Sequence, residues 1–275
     1  MNKLRKSLCL MMAFIMLCGC SKMKSYRPIE DINNLEGRRV GVGLAWAPDY
    51  LLTGRKDLDL MRYNSIPDMI TALCYRRLDA VAVERPYATY ILSSVEGLHE
   101  VQPMIGRIGL VTYIAKDKEQ LFNEFNEFTK NFRQTEQYAD LDKRLNGTKE
   151  FVPKDIELCA DGPVLKVGIC SENFPFIYID FSTGEFVGSD IEYIKHFANA
   201  YNYNLEFIDS SYGAMELGVG YGYTDIAISG ISDLYRADIE YSGRTLVSDS
   251  YMENDVVFLE VIDPDKVKIN SELDI

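Results

Sequence analysis

The sequence predicts an α/β fold built in two parts, and three observations carry that prediction. Short apolar, β-prone runs alternate with amphipathic helical stretches, the pattern of mainly parallel sheets covered by helices. The alternation occurs twice, on either side of residues 146–163 (NGTKEFVPKDIELCADGP), which have turn formers at both ends and little periodicity. The chain has 275 residues, 47% of them hydrophobic, enough to bury a real core in one domain of two lobes or in two small domains.

In the first part, Arg39-Val40-Gly41-Val42 reads as a strand entered through the turn Leu35-Glu36-Gly37. Ser65-Ile66-Pro67-Asp68 opens a helix through Tyr75, with Ser65 as cap and Ile66, Met69, Ile70 and Leu73 on one side. Residues 79–83 (DAVAV) form the next strand, ending at Glu84-Arg85-Pro86, and a helix follows from Tyr87. Residues 110–115 are a strand. Leu121, Phe122, Phe125, Phe128 and Phe132 then fall at helical spacing, which predicts an amphipathic helix over 119–132 with an aromatic stripe in the core.

In the second part, 165–169 and 176–179 are strands, with a Ser182-Thr183-Gly184 turn after them. Gly188-Ser189-Asp190-Ile191-Glu192 reads as a capping box, Ser189 with Glu192, and starts a helix. Strands follow at 205–208 and 225–229. Ligands of open parallel sheets sit beyond the carboxyl ends of the strands, so 43–49, 84–86, 170–176 and 229–236 are the places for a site.

The N-terminus has its own logic. Lys3, Arg5 and Lys6 precede an unbroken apolar run over 8–17, a basic region and a short apolar one that is too short to span a bilayer comfortably. Leu17-Cys18-Gly19-Cys20 resembles a bacterial lipobox, which predicts a signal peptide over 1–19 and a lipid on Cys20; an ordinary signal peptide or an N-terminal anchor is the rival reading. Residues 20–32 form a polar tether.

Composition excludes several functions. Lys and Arg total 29 against 42 Asp and Glu, a net charge of −13. Without the leader's three cations, 26 basic residues face 42 acidic ones, a net −16. No dense basic surface exists for nucleic acid. Two distant histidines, His99 and His196, argue against a zinc site or a His-based triad, and neither a metal nor another cofactor is expected. No Gly-x-Ser-x-Gly, P-loop or Cys-x-x-Cys occurs. Behind the leader, Cys74, Cys159 and Cys170 remain beside the lipidated Cys20. Cys159 and Cys170 either bridge or, like Cys74, stay as small buried thiols.

Candidate ligand groups follow from these places. Gly230 lets the backbone approach a ligand, Ser232 offers a hydroxyl and an amide, and Arg236 offers a planar fork for a carboxylate; a capped helix start with an exposed Arg is the alternative. Glu84 stands at the same topological place in the first part and either receives an ammonium group or caps the next helix. Phe174, Phe176 and Tyr212 offer aromatic faces to a ligand or to the core.

These stretches resemble a family, the extracellular solute-binding proteins of polar amino-acid ABC transporters (solute-binding family 3, periplasmic binding protein type II). Residues 164–260 are similar to its first half through Val164-Leu165-Lys166-Val167-Gly168, Phe174-Pro175-Phe176, Gly188-Ser189-Asp190-Ile191-Glu192 and Asp225-Ile226-Ala227-Ile228-Ser229-Gly230 with Arg236, then Tyr241-Ser242. Residues 35–145 are similar to its second half through Leu35-Glu36-Gly37-Arg38-Arg39-Val40-Gly41-Val42, Leu78-Asp79-Ala80-Val81-Ala82-Val83-Glu84, and Tyr113-Ile114-Ala115-Lys116 with its Phe-rich helix. The halves stand in swapped order. This implies a two-lobed, circularly permuted type II fold, tolerable where native termini meet at the surface; a tandem duplication of half-domains is the rival. One lobe is then 33–107 and the other 108–150 with 163–258. Residues 151–162 link them, and the tail 259–275 returns toward the hinge.

The resemblance implies a non-catalytic, monomeric binder of a small zwitterion, amino acid or related. It would be lipid-anchored on the periplasmic or cell-surface face of a bacterial membrane and would serve an ABC permease. Arg236 would bind the carboxylate, Gly230 and Ser232 would donate to it, and Glu84 would take the ammonium. Tyr212 would form one wall of an aromatic clamp; the other wall falls on Asn173, with Phe174 next door. After Val42 the chain departs from the family's Gly-Thr helix start: Gly43-Leu44-Ala45-Trp46-Ala47-Pro48-Asp49 puts the protein's one Trp there, over a larger or less polar ligand. The same module also resembles sensor domains, including the regulatory domain of membrane-bound lytic transglycosylases. A few members of the fold are dehydratases of cyclic acids, a role in which Glu84 or Asp49 would be the acid or base, though nothing in the sequence demands it.

Overall fold

The computed structural model describes residues 28–147, 150–158, 161–237, 243–263 and 266–269. In chain order the first part contains β1 (Arg38–Gly43), α1 (Ala47–Leu52), β2 (Leu58–Tyr63), α2 (Ile66–Cys74), β3 (Ala80–Glu84), α3 (Arg85–Ser94), β4 (Val95–Glu96), β5 (Leu98–Ala115), α4 (Glu119–Phe132) and α5 (Glu136–Leu145). The second contains β6 (Val164–Ile169), β7 (Tyr178–Asp180), β8 (Glu185–Val187), α6 (Ser189–Tyr201), β9 (Asn204–Asp209), α7 (Tyr212–Gly220) and β10 (Ile226–Ser232). A 3-10 turn (Asp233–Tyr235), β11 (Thr245–Val247), β12 (Met252–Val261) and β13 (Lys268–Ile269) complete it.

One sheet runs β2-β1-β3-β12-β5-β10-β6-β9, with β11 pairing the far end of β5. Its two flanks, β2-β1-β3 and β10-β6-β9, are parallel inside and carry the helices, so each is an α/β lobe. The antiparallel pair β5 and β12 belongs to both lobes. Residues 256–259 of β12 pair with β3, while residues 110–114 of β5 pair with β10. At 18 residues, β5 reaches about 60 Å, long enough to cross the molecule. One apolar cluster follows this pair through both lobes, from Met69 and Val83 to Ile169 and Phe197.

Local signals account for most boundaries. Ser65 Oγ accepts from Asp68 N at 3.3 Å at the start of α2, and Thr135 does the same for Tyr138 N at the start of α5. The aromatic stripe of α4 is core as the spacing predicts: Phe125 meets Tyr193, Phe197 and Tyr251 with ring centroids 5.3–6.3 Å apart.

The expected capping box does not form. Gly188, at φ +132°, is the cap of α6, because a Cβ there would lie 2.2 Å from the Phe176 carbonyl oxygen. Glu192 turns instead to Arg144 on α5, which donates to it twice, at 2.9 and 2.6 Å. After Gly230, β10 continues to Ser232 through a register shift, and Ser232 caps a 3-10 turn that passes into helical residues 236–237. Strands β2 and β12 were not expected, and β5 begins twelve residues earlier than predicted. Residues 150–158 carry no helix or strand, and β13 pairs with β4. Cys20, Cys159 and Tyr241-Ser242 lie outside the described residues. Among the described residues, no helix is long and apolar enough to cross a membrane.

Candidate functional site

A cavity of about 370 Å³ lies between the lobes, where the strand ends predicted to carry a site converge. From the first lobe it is lined by the 44–47 turn, Glu84 and Tyr87; from the second, by residues 170, 172–173 and 176, Ser211-Tyr212, Gly230, Ser232 and Tyr235. Of the expected ligand groups, Glu84, Trp46, Tyr212, Gly230 and Ser232 are therefore brought together.

Glu84 ends β3 and precedes α3, but its side chain makes no capping bond to that helix. It turns into the cavity and is 7% exposed. Its Oε2 accepts from Asn254 Nδ2 of β12 at 2.9 Å. Burial pushes its carboxyl up to about 7, against the pull of the Asn254 bond. Trp46 is placed by the turn after β1: Gly43 has its ring so close that a Cβ would lie 2.6 Å from it, and Ala45 adopts φ +60°. The indole leans on Tyr87, centroids 5.3 Å apart, and Tyr87 meets Phe176 edge-on at 6.3 Å.

Hydrogen bonds close the cleft across the two lobes. Tyr87 Oη donates to Asn173 Oδ1 at 2.7 Å, and Asn173 Nδ2 donates to the Ser229 carbonyl at 2.6 Å. Tyr235 Oη donates to the Ala45 carbonyl at 2.6 Å while its ring packs edge-on against Tyr50 at 4.8 Å.

Two expected ligand residues are not at the cavity. Arg236 follows the 3-10 turn and points its guanidinium at backbone carbonyls, donating to Val247 at 3.0 Å and Ser248 at 2.5 Å. It braces the segment after β11, and its fork does not line the cavity. Phe174 packs between Tyr90 and Tyr178, at 5.1 and 5.0 Å, and Phe176 supplies the ring instead. Gly230 and Ser232 line the cavity but have prior partners. Gly230 N donates to the buried Asp190 carboxylate at 2.6 Å, and Ser232 Oγ accepts from Leu234 N at 3.2 Å. Gly230 sits at φ +58°, with the Phe176 ring where its Cβ would be. Asp49, the other candidate acid, accepts from Ala45 N, Thr53 Oγ1 and Arg62. Burial raises its carboxyl, and those bonds outweigh it and hold it below its ordinary value.

Tyr87 and Tyr235 are the cavity residues that matter most beyond the predicted set, while Asn173 and Phe176, both named from the sequence, also line it. Tyr87 lies one helical turn past Glu84 and Tyr235 adjoins Arg236, so each stood beside a recognised position. No Lys, Arg or His lines the cavity among the described residues; Glu84 and Glu172 are its charged groups. Nor does any group of three or more His, Cys, Asp or Glu among the described residues suit a metal ion.

Residues 165–256 match the family model of the bacterial extracellular solute-binding proteins, family 3. This stretch, about a third of the chain, supplies the second lobe's side of the cavity. No curated protein sequence matches the chain. Among solved structures, the GluR0 ligand-binding core complexed with L-glutamate is similar at 14% identity and TM-score 0.41, covering 82% of this chain and 84% of that one. A probable amino-acid ABC transporter extracellular-binding protein from Bacillus subtilis is similar at 8% identity and TM-score 0.44, covering 83% and 85%. The VFT2 domain of BvgS from Bordetella pertussis is similar at 13% identity and TM-score 0.41, covering 83% and 82%.

Proposed function

We propose that the chain is an exported, non-catalytic solute-binding protein that closes two lobes over a small molecule bearing an ammonium group. The observation that carries this reading is Glu84, a buried carboxyl facing an inter-lobe cavity with no cation among its described lining residues. A desolvated carboxylate in that setting is stabilised by a cation supplied from outside. Closure about the β5–β12 pair would be a hinge motion, and the Tyr87–Asn173 and Tyr235–Ala45 bonds hold the closed form.

The leader sequence supports processing to a lipid-anchored Cys20, which would hold the binder at a bacterial membrane beside an ABC-type permease. The order of the halves is read as a circular permutation. In support, β5 and β12 are shared by both lobes, and Ile29 N donates to Glu260 Oε2 at 2.9 Å, so the start of the described chain lies against the end of β12.

Two measurements test this reading. Denaturing the purified full chain and analysing the released small molecules by mass spectrometry should yield an ammonium compound. Failing that, millimolar amines and amino acids should raise its thermal midpoint; a midpoint unmoved by either class would refute it. Labelling cells with palmitate should mark the protein, and Cys20→Ala should abolish the label.

A further inference from the structure

The cavity's charged and polar groups are arranged for one end of a zwitterion and not the other. We propose that the site selects an organic cation without a carboxylate, an amine with an apolar body; this rests on the ammonium-capture reading of Glu84.

Three observations carry the inference. First, the charged groups lining the cavity are both acidic, Glu84 within and Glu172 exposed at the rim. A ligand carboxylate held a few ångströms from Glu84 would be stripped of water and repelled, with no lining Lys, Arg or His among the described residues to offset either cost. Second, the charged and backbone groups that the sequence offers to a carboxylate are engaged elsewhere. Arg236 is spent on the Val247 and Ser248 carbonyls and the Gly230 amide on Asp190, which leaves the uncharged Ser232 hydroxyl, an acceptor from Leu234 N, as the group of that set that can still donate. The turn after β1 adds no replacement: Leu44, Ala45, Trp46 and Ala47 bring apolar side chains to the cavity.

Third, the walls suit a cation. Trp46, Tyr87 and Phe176 form a consecutive set of rings, and Tyr212 and Tyr235 line the cavity with them. Aromatic faces carry negative potential and attract ammonium groups, most strongly where water is excluded. A buried acid among such rings favours a cation twice over, while a carboxylate gains nothing from either.

The test is titration calorimetry of the dialysed full chain with pairs matched except for the carboxylate: tyramine and tyrosine, cadaverine and lysine, choline and glycine betaine. The expected result is that at least one amine binds and does so at least tenfold tighter than its carboxylated partner. Glu84→Gln, checked by circular dichroism to be folded, should weaken that amine by at least tenfold. If the carboxylated member of every binding pair is the equal or the stronger ligand, the inference fails while ammonium capture stands. If Glu84→Gln binds the amine unchanged, or if no member of any pair binds at millimolar concentration, ammonium capture by Glu84 fails and the inference with it.

Discussion

Replacing Glu84 by Gln keeps the shape and the acceptor for Asn254 but removes a charge that the ligand-free protein must bury. The carboxyl has an ordinary value of 4.5 and stands at about 7 in the fold, so ionising it in place costs about 3 kcal/mol. The sign follows from the direction of the shift. Below the unfolded value both states are protonated and the native state has its full stability. Between 4.5 and about 7 the unfolded chain releases a proton that the fold retains, so stability falls as pH rises, and the loss is complete above the folded value. Asp190 is shifted the same way by burial, but it is present in both proteins and cancels from their difference. Urea unfolding of ligand-free wild type and Glu84→Gln should therefore give a gap, in favour of the variant, that widens by about 2.5 kcal/mol between about pH 5 and pH 8.5. A gap independent of pH, or a variant less stable at the higher pH, would refute the assignment of a buried, cation-free carboxyl.

Other substitutions probe the frame around the site. The double change Tyr87→Phe, Tyr235→Phe removes both inter-lobe hydroxyl bonds; small-angle scattering should show a larger radius of gyration, and ligand release should quicken on the order of tenfold. Arg144→Met takes both guanidinium bonds from the buried Glu192, leaving it the Lys154 amide, and should cost about 3 kcal/mol in urea unfolding. Gly230→Ala meets both a left-handed φ and the Phe176 ring, and should lower stability by about 2 kcal/mol while weakening any ligand that reaches Phe176. Phe125→Ala empties the centre of the aromatic cluster and should cost about 3–5 kcal/mol by the same denaturation assay.

Elements whose apolar residues follow one period were legible in the sequence. The DAVAV strand before Glu84, the capped α2 and the Phe stripe of α4 each show a single burial pattern, and α2 adds a local start signal in Ser65. β12 was hidden because it buries polar residues: Asn254 and Glu260 are as buried as Val256 and Phe258, and they break the apolar run that marks a central strand. β2 was hidden for the opposite reason, with Asp59, Met61 and Arg62 exposed on an edge. At the site, chain position located Glu84, Gly230 and Ser232, since strand ends are fixed by the sheet. The direction of Arg236 was not legible, because it depends on carbonyls eleven and twelve residues away that only the folded chain brings near. Likewise Ser189 and Glu192 satisfy a local motif on paper, and a tertiary partner, Arg144, takes the glutamate.

The placement of β12 also sets an order of events for the chain. It lies in the middle of the sheet, between β3 and β5, yet it is made from residues 252–261 of 275. Until those residues leave the ribosome, β3 and the β12-facing edge of β5 carry unpaired backbone groups, the kind of edge that recruits other strands. Neither lobe can complete its sheet before β12 arrives. A chain cut short before Met252 is therefore an aggregation hazard rather than a smaller working domain.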